Sequence, residues 1–447
     1  MIGPPRLPSL AGAKSASQTY STSEWAAVPH RSWGTAPVGL PSASSFDFRT
    51  RAFFSWRLGV GLLACFWTAF GYAAVTPTFV PTDDAQVVAQ LRPSGLSSGE
   101  RELRTLRASL AQNPTNLPLA TDVARRLIQQ ARRESDPRFL GQAEVALAPW
   151  WNQAVPPVEA LVLRATIRQS LHDFTTALTD LDAALAIDGR NLQVWLTKFT
   201  VHTVRGEYES ARRACVPLLR LGDNLTATTA AATLASLTGD AARSLKLLDA
   251  ALTRDAQAPV ATRVWALTQL AETSDRLGHT ADAERHFQAA LALAPHDPYL
   301  LGAYADFLLD QHRPAEVASL LRDFARMDGL LLRLAEAHAV RPAESSALKS
   351  EVAELSARFA NARDRGDRVH LREEARFHLR LLGQPTSALP LARDNWAIQK
   401  EPADARLLLE AARLAKDRPT EDAVLAWVAT NRLEDIHLQP RALASLP

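Results

Sequence analysis

A unit of 34 residues recurs along most of this chain and limits the folds open to it. In the clearest copy, residues 264–297, apolar side chains recur at spacings of three and four on both sides of Gly278 and end before Pro295. That spacing predicts two short amphipathic helices joined by a tight turn. Because one such hairpin cannot bury its apolar faces alone, its recurrence predicts a stack of neighbouring hairpins.

The same register appears, with decreasing regularity, on both sides of the clearest copy. The better copies are 158–191, 192–225, a unit from Leu225 that slips before Val264, and 298–327, where His312 replaces the turn glycine. Further helix pairs are predicted at 117–150, 329–364, 369–400 and 404–431. No strand pattern interrupts them, so residues 101–447 are predicted to form one helical repeat domain.

Six positions of unit 264–297 form a specific pattern of small, aromatic and turn residues. Counted from Val264, positions 8, 15, 20, 24, 27 and 32 are Ala271, Gly278, Ala283, Phe287, Ala290 and Pro295. In this pattern the chain resembles the tetratricopeptide repeat family. The resemblance implies an all-α fold, an α-solenoid of stacked antiparallel helical hairpins that forms a superhelix. Small residues would let the paired helices approach closely.

The resemblance also implies a concave groove lined by the first helix of each hairpin, which would bind an extended peptide or a partner helix. The predicted lining is polar with occasional aromatic residues, and it contains no catalytic residue. Each position has a plain alternative as a solvated or packed helix residue, and Trp265 could equally belong to the core. The predicted groove residues are Glu159, Thr166, Gln169, Gln193, Thr200, Thr203, Trp265, Thr268, Glu272, Asp275, Arg276, Tyr299, Asp306 and Asp310.

Charge and cysteine content exclude several functional classes. Lys and Arg number 50 against 48 Asp and Glu, a net charge of +2. This balance is too small to drive nucleic-acid binding by counterion release, so no nucleic-acid partner is predicted. The two cysteines, Cys65 and Cys215, can build neither a disulfide framework nor a cysteine metal site.

The first hundred residues have a different composition from the repeats. Residues 1–48 are rich in Ser, Pro, Ala and Gly and are predicted to be a disordered extension. In 49–75, three arginines precede an uncharged apolar run at 58–75, which predicts a separate apolar helix. It is either a cleaved secretory signal or an uncleaved membrane anchor, with a buried soluble helix as the third alternative. Residues 76–100 are predicted to be a linker, and the repeats are expected in the periplasm or another extracytoplasmic space.

Several short motifs for catalysis or metal binding occur without the flanking elements that such sites require. Residues 95–99 spell a nucleophile elbow and 346–349 a Ser-x-x-Lys dyad, but neither has the flanking elements of an active site. His370, Glu374 and His378 recur at four-residue steps beside Glu373. The arginines between them, Arg368, Arg372, Arg376 and Arg380, predict an exposed, ion-paired helix instead of a metal site. No metal and no cofactor are predicted.

Two functions of different classes follow from these patterns. The first is a non-catalytic protein–protein interaction scaffold, exported or anchored, with membrane contact only through residues 58–75 if they are retained. The alternative is an enzyme, or a regulatory subunit of one, with its site in the less regular region 329–447. A compact pocket of convergent titratable groups there would favour the alternative.

Overall fold

The computed structural model describes residues 98–340, 347–366 and 369–438. All regular secondary structure in these ranges is helical. Contacts place Leu103–Pro447 in one compact unit, and only residues 98–102 are described of a second unit, Ala36–Glu102. The predicted extension, apolar helix and most of the linker lie outside the described residues, as do Arg368 and Ser346. Within the described ranges, no helix is both long and apolar enough to cross a bilayer.

Twenty α-helices follow one another in the described residues, with short 3₁₀ turns at Arg322–Phe324 and Ile436–Leu438 and a π-helical turn at Phe377–Leu381. They are α1 Ser98–Gln112, α2 Leu117–Glu134, α3 Arg138–Ala146, α4 Ala148–Trp151, α5 Val158–Ser170, α6 Phe174–Ile187, α7 Leu192–Val204, α8 Tyr208–Leu221, α9 Asn224–Leu237, α10 Ala241–Arg254, α11 Val260–Arg276, α12 Thr280–Leu293, α13 Pro298–Asp310, α14 Pro314–Leu321, α15 Asp328–Ala339, α16 Leu348–Asp364, α17 Leu371–Arg376, α18 Pro385–Ile398, α19 Pro402–Leu414 and α20 Arg418–Asn431.

Consecutive helices pack as hairpins, and the described part of the chain contains nine of them. The pairs are α2/α3, α5/α6, α7/α8, α9/α10, α11/α12, α13/α14, α15/α16, α17/α18 and α19/α20, here called helix A and helix B of each hairpin. The predicted all-α solenoid of stacked hairpins is therefore confirmed. The predicted domain boundaries at residues 48, 75 and 100 stay predictions.

The small residues of the repeat pattern lie where two helices come closest. Ala271 on α11 and Ala283 and Ala290 on α12 have no exposed surface, and Phe287 fills the space between the helices with 2% exposure. Its ring lies 5.4 Å from that of Tyr304 on the next A helix, so the same side chain joins two hairpins. The sequence pattern thus reports close helix packing directly.

The turns inside the hairpins adopt a left-handed backbone conformation. Gly206, Gly239 and Gly278 have φ values of +70°, +82° and +77°. His172 and His312 adopt the same conformation at φ 59° and 56°, so His312 keeps the turn that glycine makes elsewhere. In these five hairpins this conformation ends helix A in the same way and sets the direction of helix B.

Residues 399–438, here called the C-terminal arm, return to earlier hairpins. The Lys400 backbone N–H donates to the Val204 carbonyl at 2.7 Å, and the Ala241 N–H donates to Glu434 Oε2 at 2.8 Å. The arm also passes the three glycine turns: a Cβ at Gly239 would lie 2.7 Å from Arg432 Cβ. The hollow that the repeats were expected to leave open is therefore partly filled by the chain itself.

The helix that carries the arginine row is buried, so its predicted exposure is wrong. Glu373 and Glu374 are 7% and 4% exposed, and the side chains of Arg372 and Arg376 are 15% and 12% exposed. The reason is that α17 is helix A of its hairpin and packs against α15, α18 and α19. Its predicted ion pairing is nevertheless present, as described below.

We expect Ala290→Leu to destabilise the repeat unit by about 1–3 kcal/mol, because the added carbons must displace packed atoms. Ala289 is the next residue on α12 and is exposed, so Ala289→Leu is the matched control and should change the free energy of unfolding by less than about 0.5 kcal/mol. Urea unfolding followed by circular dichroism measures both. Equal effects of the two substitutions would contradict the close-packing role of Ala290.

Candidate binding cavity

A cavity of about 310 Å³ lies between the A helices and the C-terminal arm. Its walls come from the carboxyl-terminal ends of α7 and α9, from α11, α13, α15 and α17, and from arm residues on the opposite side. Its charged lining residues are Glu272, Asp275, Arg276, Asp306, Asp310, Arg333, Arg372, Glu373, Arg376, Arg380, Lys400, Glu401, Arg406, Asp435 and His437. The cavity is thus polar, with both signs of charge in its wall.

Half of the predicted groove residues meet in this cavity, and the other half do not. Those that line it are Thr203, Glu272, Asp275, Arg276, Tyr299, Asp306 and Asp310. Those that do not are Glu159, which is exposed, Gln193, Thr200 and Trp265, which are half-buried, and Thr166, Gln169 and Thr268, which are buried. Whether any of the fourteen residues binds a partner stays a prediction.

The residues outside the cavity have their own structural contacts. The hydroxyls of Thr166 and Thr268 donate to backbone carbonyls of their own helices, at 2.8 Å each. Trp265 packs against an apolar cluster that contains residues of both α7 and the arm. The plain alternative of a packed helix position therefore describes the surroundings of these three residues.

Buried ion pairs join α13, α15 and α17 on one side of the cavity. Arg333 donates to both carboxylate oxygens of Asp306, at 2.9 and 2.5 Å. Arg376 donates to both oxygens of Glu336 at 2.6 Å, and its Nη1 lies 2.7 Å from Asp306. The two guanidinium groups hold the pKa of the Asp306 carboxyl well below its ordinary value, against the opposing effect of burial.

A second group of ion pairs joins the arm to the same wall. Arg372 on α17 donates to Asp404 at 2.5 and 2.7 Å and to Glu401 at 2.5 Å. Arg406 on α19 donates through both terminal nitrogens to the two oxygens of Asp310 on α13. Because Arg406 and Asp310 are 96 residues apart, this pair fixes how the arm lies in the groove.

His437 ends the arm between two carboxylates of the A helices. Its Nε2 lies 3.0 Å from Asp275 Oδ2, and its Nδ1 lies 4.0 Å from Asp310 Oδ2. The pKa of His437 is raised because the hydrogen bond to Asp275 and the charges of Asp275 and Asp310 outweigh burial. Ligand-type atoms of these three residues lie within 4.8 Å of one another, a spacing that a cation could use. Since Arg406 already occupies both oxygens of Asp310, we interpret the group as part of the ion-pair network.

Glu272 and Tyr299 form a hydrogen-bonded pair in the wall. The Tyr299 hydroxyl donates to Glu272 Oε1 at 2.5 Å, and Gln269 Nε2 donates to Oε2 at 2.9 Å. Burial raises the pKa of Glu272 to about 7, because these hydrogen bonds do not replace the lost hydration of the carboxylate. Burial also raises the pKa of Tyr299 well above its ordinary value.

Sequence reasoning missed the arm residues of this site. The four-residue spacing of Arg372, Arg376 and Arg380 indicated ion pairing, but not the partners. Nothing in the sequence indicated that Arg406 and His437 reach α11 and α13, because these contacts span 96 and 162 residues.

We expect Glu272→Gln to stabilise the folded chain more at pH 8 than at pH 5. The carboxyl titrates near 4.5 in the unfolded chain and near 7 in the folded chain. The unfolded state therefore loses its proton first, and the stability from this residue falls as pH rises between these values. The amide does not titrate, so the stability difference between variant and native chain should grow by about 1–3 kcal/mol over this range.

Urea unfolding at several pH values measures this difference. Glu209→Gln is the matched control, because the Glu209 side chain is 78% exposed on α8 and its nearest partner is Arg212. A pH-independent difference for Glu272→Gln, or the same pH dependence for the control, would contradict the assignment of a raised pKa to Glu272.

Comparisons with known proteins add two solved structures of similar architecture. No protein-family model matches the chain, and a search of the curated proteins found no match. A tetratricopeptide repeat protein from Parabacteroides merdae is 15% identical, with 64% of this chain and 98% of that chain covered and a TM-score of 0.35. The P58(IPK) TPR domain is 13% identical, with 70% and 92% covered and a TM-score of 0.19. Both TM-scores are low, and it is the hairpins of the chain itself, with their small packed residues and left-handed turns, that give it the fold of a tetratricopeptide-type α-solenoid.

Proposed function

We propose that this chain is a non-catalytic scaffold that binds another polypeptide through the groove of its A helices. The observation that carries the proposal is the stack of nine hairpins in the described residues, which presents successive A helices side by side. Such a surface supplies spaced contacts for an extended peptide or a partner helix. Five of the six arginines that line the cavity, Arg333, Arg372, Arg376, Arg380 and Arg406, are already paired with carboxylates of the chain.

The partner surface that we propose is the part of the groove on α5 and α7. The arm closes the groove over α11 and α13, where Arg406 and His437 reach Asp310 and Asp275. The arm also contacts α7, at Val204 and through the apolar cluster around Phe199, but Glu159 is exposed and Gln193 and Thr200 are half-buried. None of these three side chains takes part in the described ion pairs of the arm, so a polypeptide that contacts them need not displace those pairs.

We expect Thr200→Arg to reduce capture of the partner at least about tenfold, because it places a long charged side chain in the proposed contact. The Thr200 hydroxyl donates only to its own helix, at Leu196 O, so its loss should cost little stability. The measurement is quantitative affinity capture of the full chain from its host, followed by mass spectrometry.

Thr179→Arg is the matched control for this experiment. Thr179 is exposed on helix B of its hairpin, and its hydroxyl donates to its own helix, at Thr175 O. Retained capture by Thr200→Arg, or equal loss by both variants, would contradict binding through α5 and α7.

We further propose that the chain is exported or anchored through residues 58–75. The support is the sequence pattern of Arg49, Arg51 and Arg57 before an uncharged apolar run with small residues at its end. We expect the mature chain in its host to begin after Ala73 or Ala74, or else to be recovered from membranes with residues 58–75 intact. Mass determination of the native N-terminus in each cell fraction distinguishes these forms. A soluble chain that retains residues 58–75 would contradict both.

The cavity favours a second candidate, an enzyme or a regulatory subunit of one. It brings titratable groups of the region 329–447 together with Glu272 and Tyr299, at a volume of about 310 Å³. Complementation of a host deletion separates the two candidates. Loss of complementation with Glu272→Gln but not with Thr200→Arg would support the enzyme, and the opposite result would support the scaffold.

A further inference from the structure

Arg276 is the one lining arginine that is buried without an ion pair in the described part of the chain. Its side chain lies in the cavity wall, and the residue is 9% exposed. Its Nη2 donates to the Ser236 hydroxyl at 2.9 Å and to the Thr273 hydroxyl at 3.3 Å, while its buried Nε has no acceptor. No carboxylate oxygen of the described residues lies within 4.0 Å of its guanidinium nitrogens. Burying a charge without a partner is unfavourable, so this arrangement calls for an explanation.

Lys400 is the second cation of the wall without an ion pair within the described ranges. It is half-buried on the arm, and its ammonium lies 6.0 Å from the centre of the Trp396 ring. The other lining arginines point their charge at carboxylates of the chain, as described above. Arg276 and Lys400 therefore provide the two positive charges in the cavity wall that the chain itself leaves unpaired.

We propose that the cavity binds a small oxyanion, a carboxylate or phosphate group, at Arg276 on α11, with Lys400 on the arm as the second cation of the same wall. A guanidinium with free N–H donors matches either anion, because both present oxygen acceptors at the spacing of its nitrogens. The cavity volume of about 310 Å³ is at the lower end of small-molecule sites, which favours a compact metabolite over a peptide segment.

Acidic groups near Arg276 make this site sensitive to pH. Glu272 and Asp435 lie within electrostatic range of Arg276 but form no ion pair with it. Burial raises the pKa of Glu272 to about 7, and it also raises the pKa of Asp435. A neutral carboxyl does not repel an anion and can donate a hydrogen bond to it. Binding should therefore be tighter at pH 6 than at pH 8.

The site is distinct from the partner surface on α5 and α7, and it goes beyond the scaffold function. An anion held by Arg276 and Lys400 would connect α11 to the arm, in parallel with the pairs Arg372–Asp404 and Arg406–Asp310. The unfolded chain does not have this cavity. A bound anion should therefore raise the thermal stability of the full chain in a saturable way.

The test is thermal unfolding of the full chain in a chloride buffer, with inorganic phosphate or succinate as probes. We expect one or both probes to raise Tm saturably above a chloride control of equal ionic strength, and the effective probe identifies the kind of oxyanion. The succinate shift should be larger at pH 6 than at pH 8; phosphate gains a second negative charge over this range, so its shift is compared at one pH. Arg276→Met should abolish it, whereas Arg285→Met, at an exposed position of α12, should retain it.

Two further readouts separate a binding role of Arg276 from a purely structural one. Without probe, Arg276→Met should unfold at the same temperature as the native chain or higher, since a buried unpaired charge is removed. Lys400→Met should weaken probe binding roughly tenfold, the effect of losing one charge-assisted contact, and keeps the test open if Arg276→Met does not fold. No saturable shift with either probe, or an undiminished shift in Arg276→Met or in Lys400→Met, would overturn the proposal.

Discussion

The arrangement of the chain depends on the cost of burying guanidinium groups. Removing an arginine from water is costly unless carboxylates meet its donors with good geometry. Here Asp306, Asp310 and Asp404 meet Arg333, Arg406 and Arg372, and two of these three pairs join the wall of the groove to the C-terminal arm. Such pairs add little net stability, but any other seating of the arm would leave buried charges unpaired. The pairs therefore select one position of the arm over others.

The fold could be predicted because helical repeats are local. The spacing of apolar residues around Gly278, with Ala271, Ala283 and Ala290 at fixed positions, reflects contacts inside one hairpin or between neighbours. The same pattern also predicted that His312 occupies a turn position, and its left-handed backbone agrees. These local contacts recur in each repeat, so the 34-residue period of the sequence predicts them.

The site could be predicted only in part because half of its wall comes from distant sequence. The groove positions on α11 and α13 follow from the resemblance to the repeat family, and six of these eight line the cavity. What faces them from the other side, Arg406 and His437, depends on how the whole array curves, which no single repeat specifies. The charges of Arg372, Arg376 and Arg380 predict a solvent-exposed helix. The helix is buried because its carboxylate partners lie on other helices, which the local sequence does not indicate.

The three glycine turns beside the arm have a consequence for how such a chain can change. His172 and His312 show that the left-handed turn itself accepts a side chain, whereas a Cβ at Gly239 or Gly206 would lie 2.7 or 3.1 Å from an arm residue. At these turns glycine supplies room as well as conformational freedom. Turn residues that look interchangeable within one repeat are thus constrained by a segment nearly two hundred positions away. The arm would limit which substitutions these turns accept during evolution. Repeats that contact the arm would therefore diverge more slowly than repeats that do not.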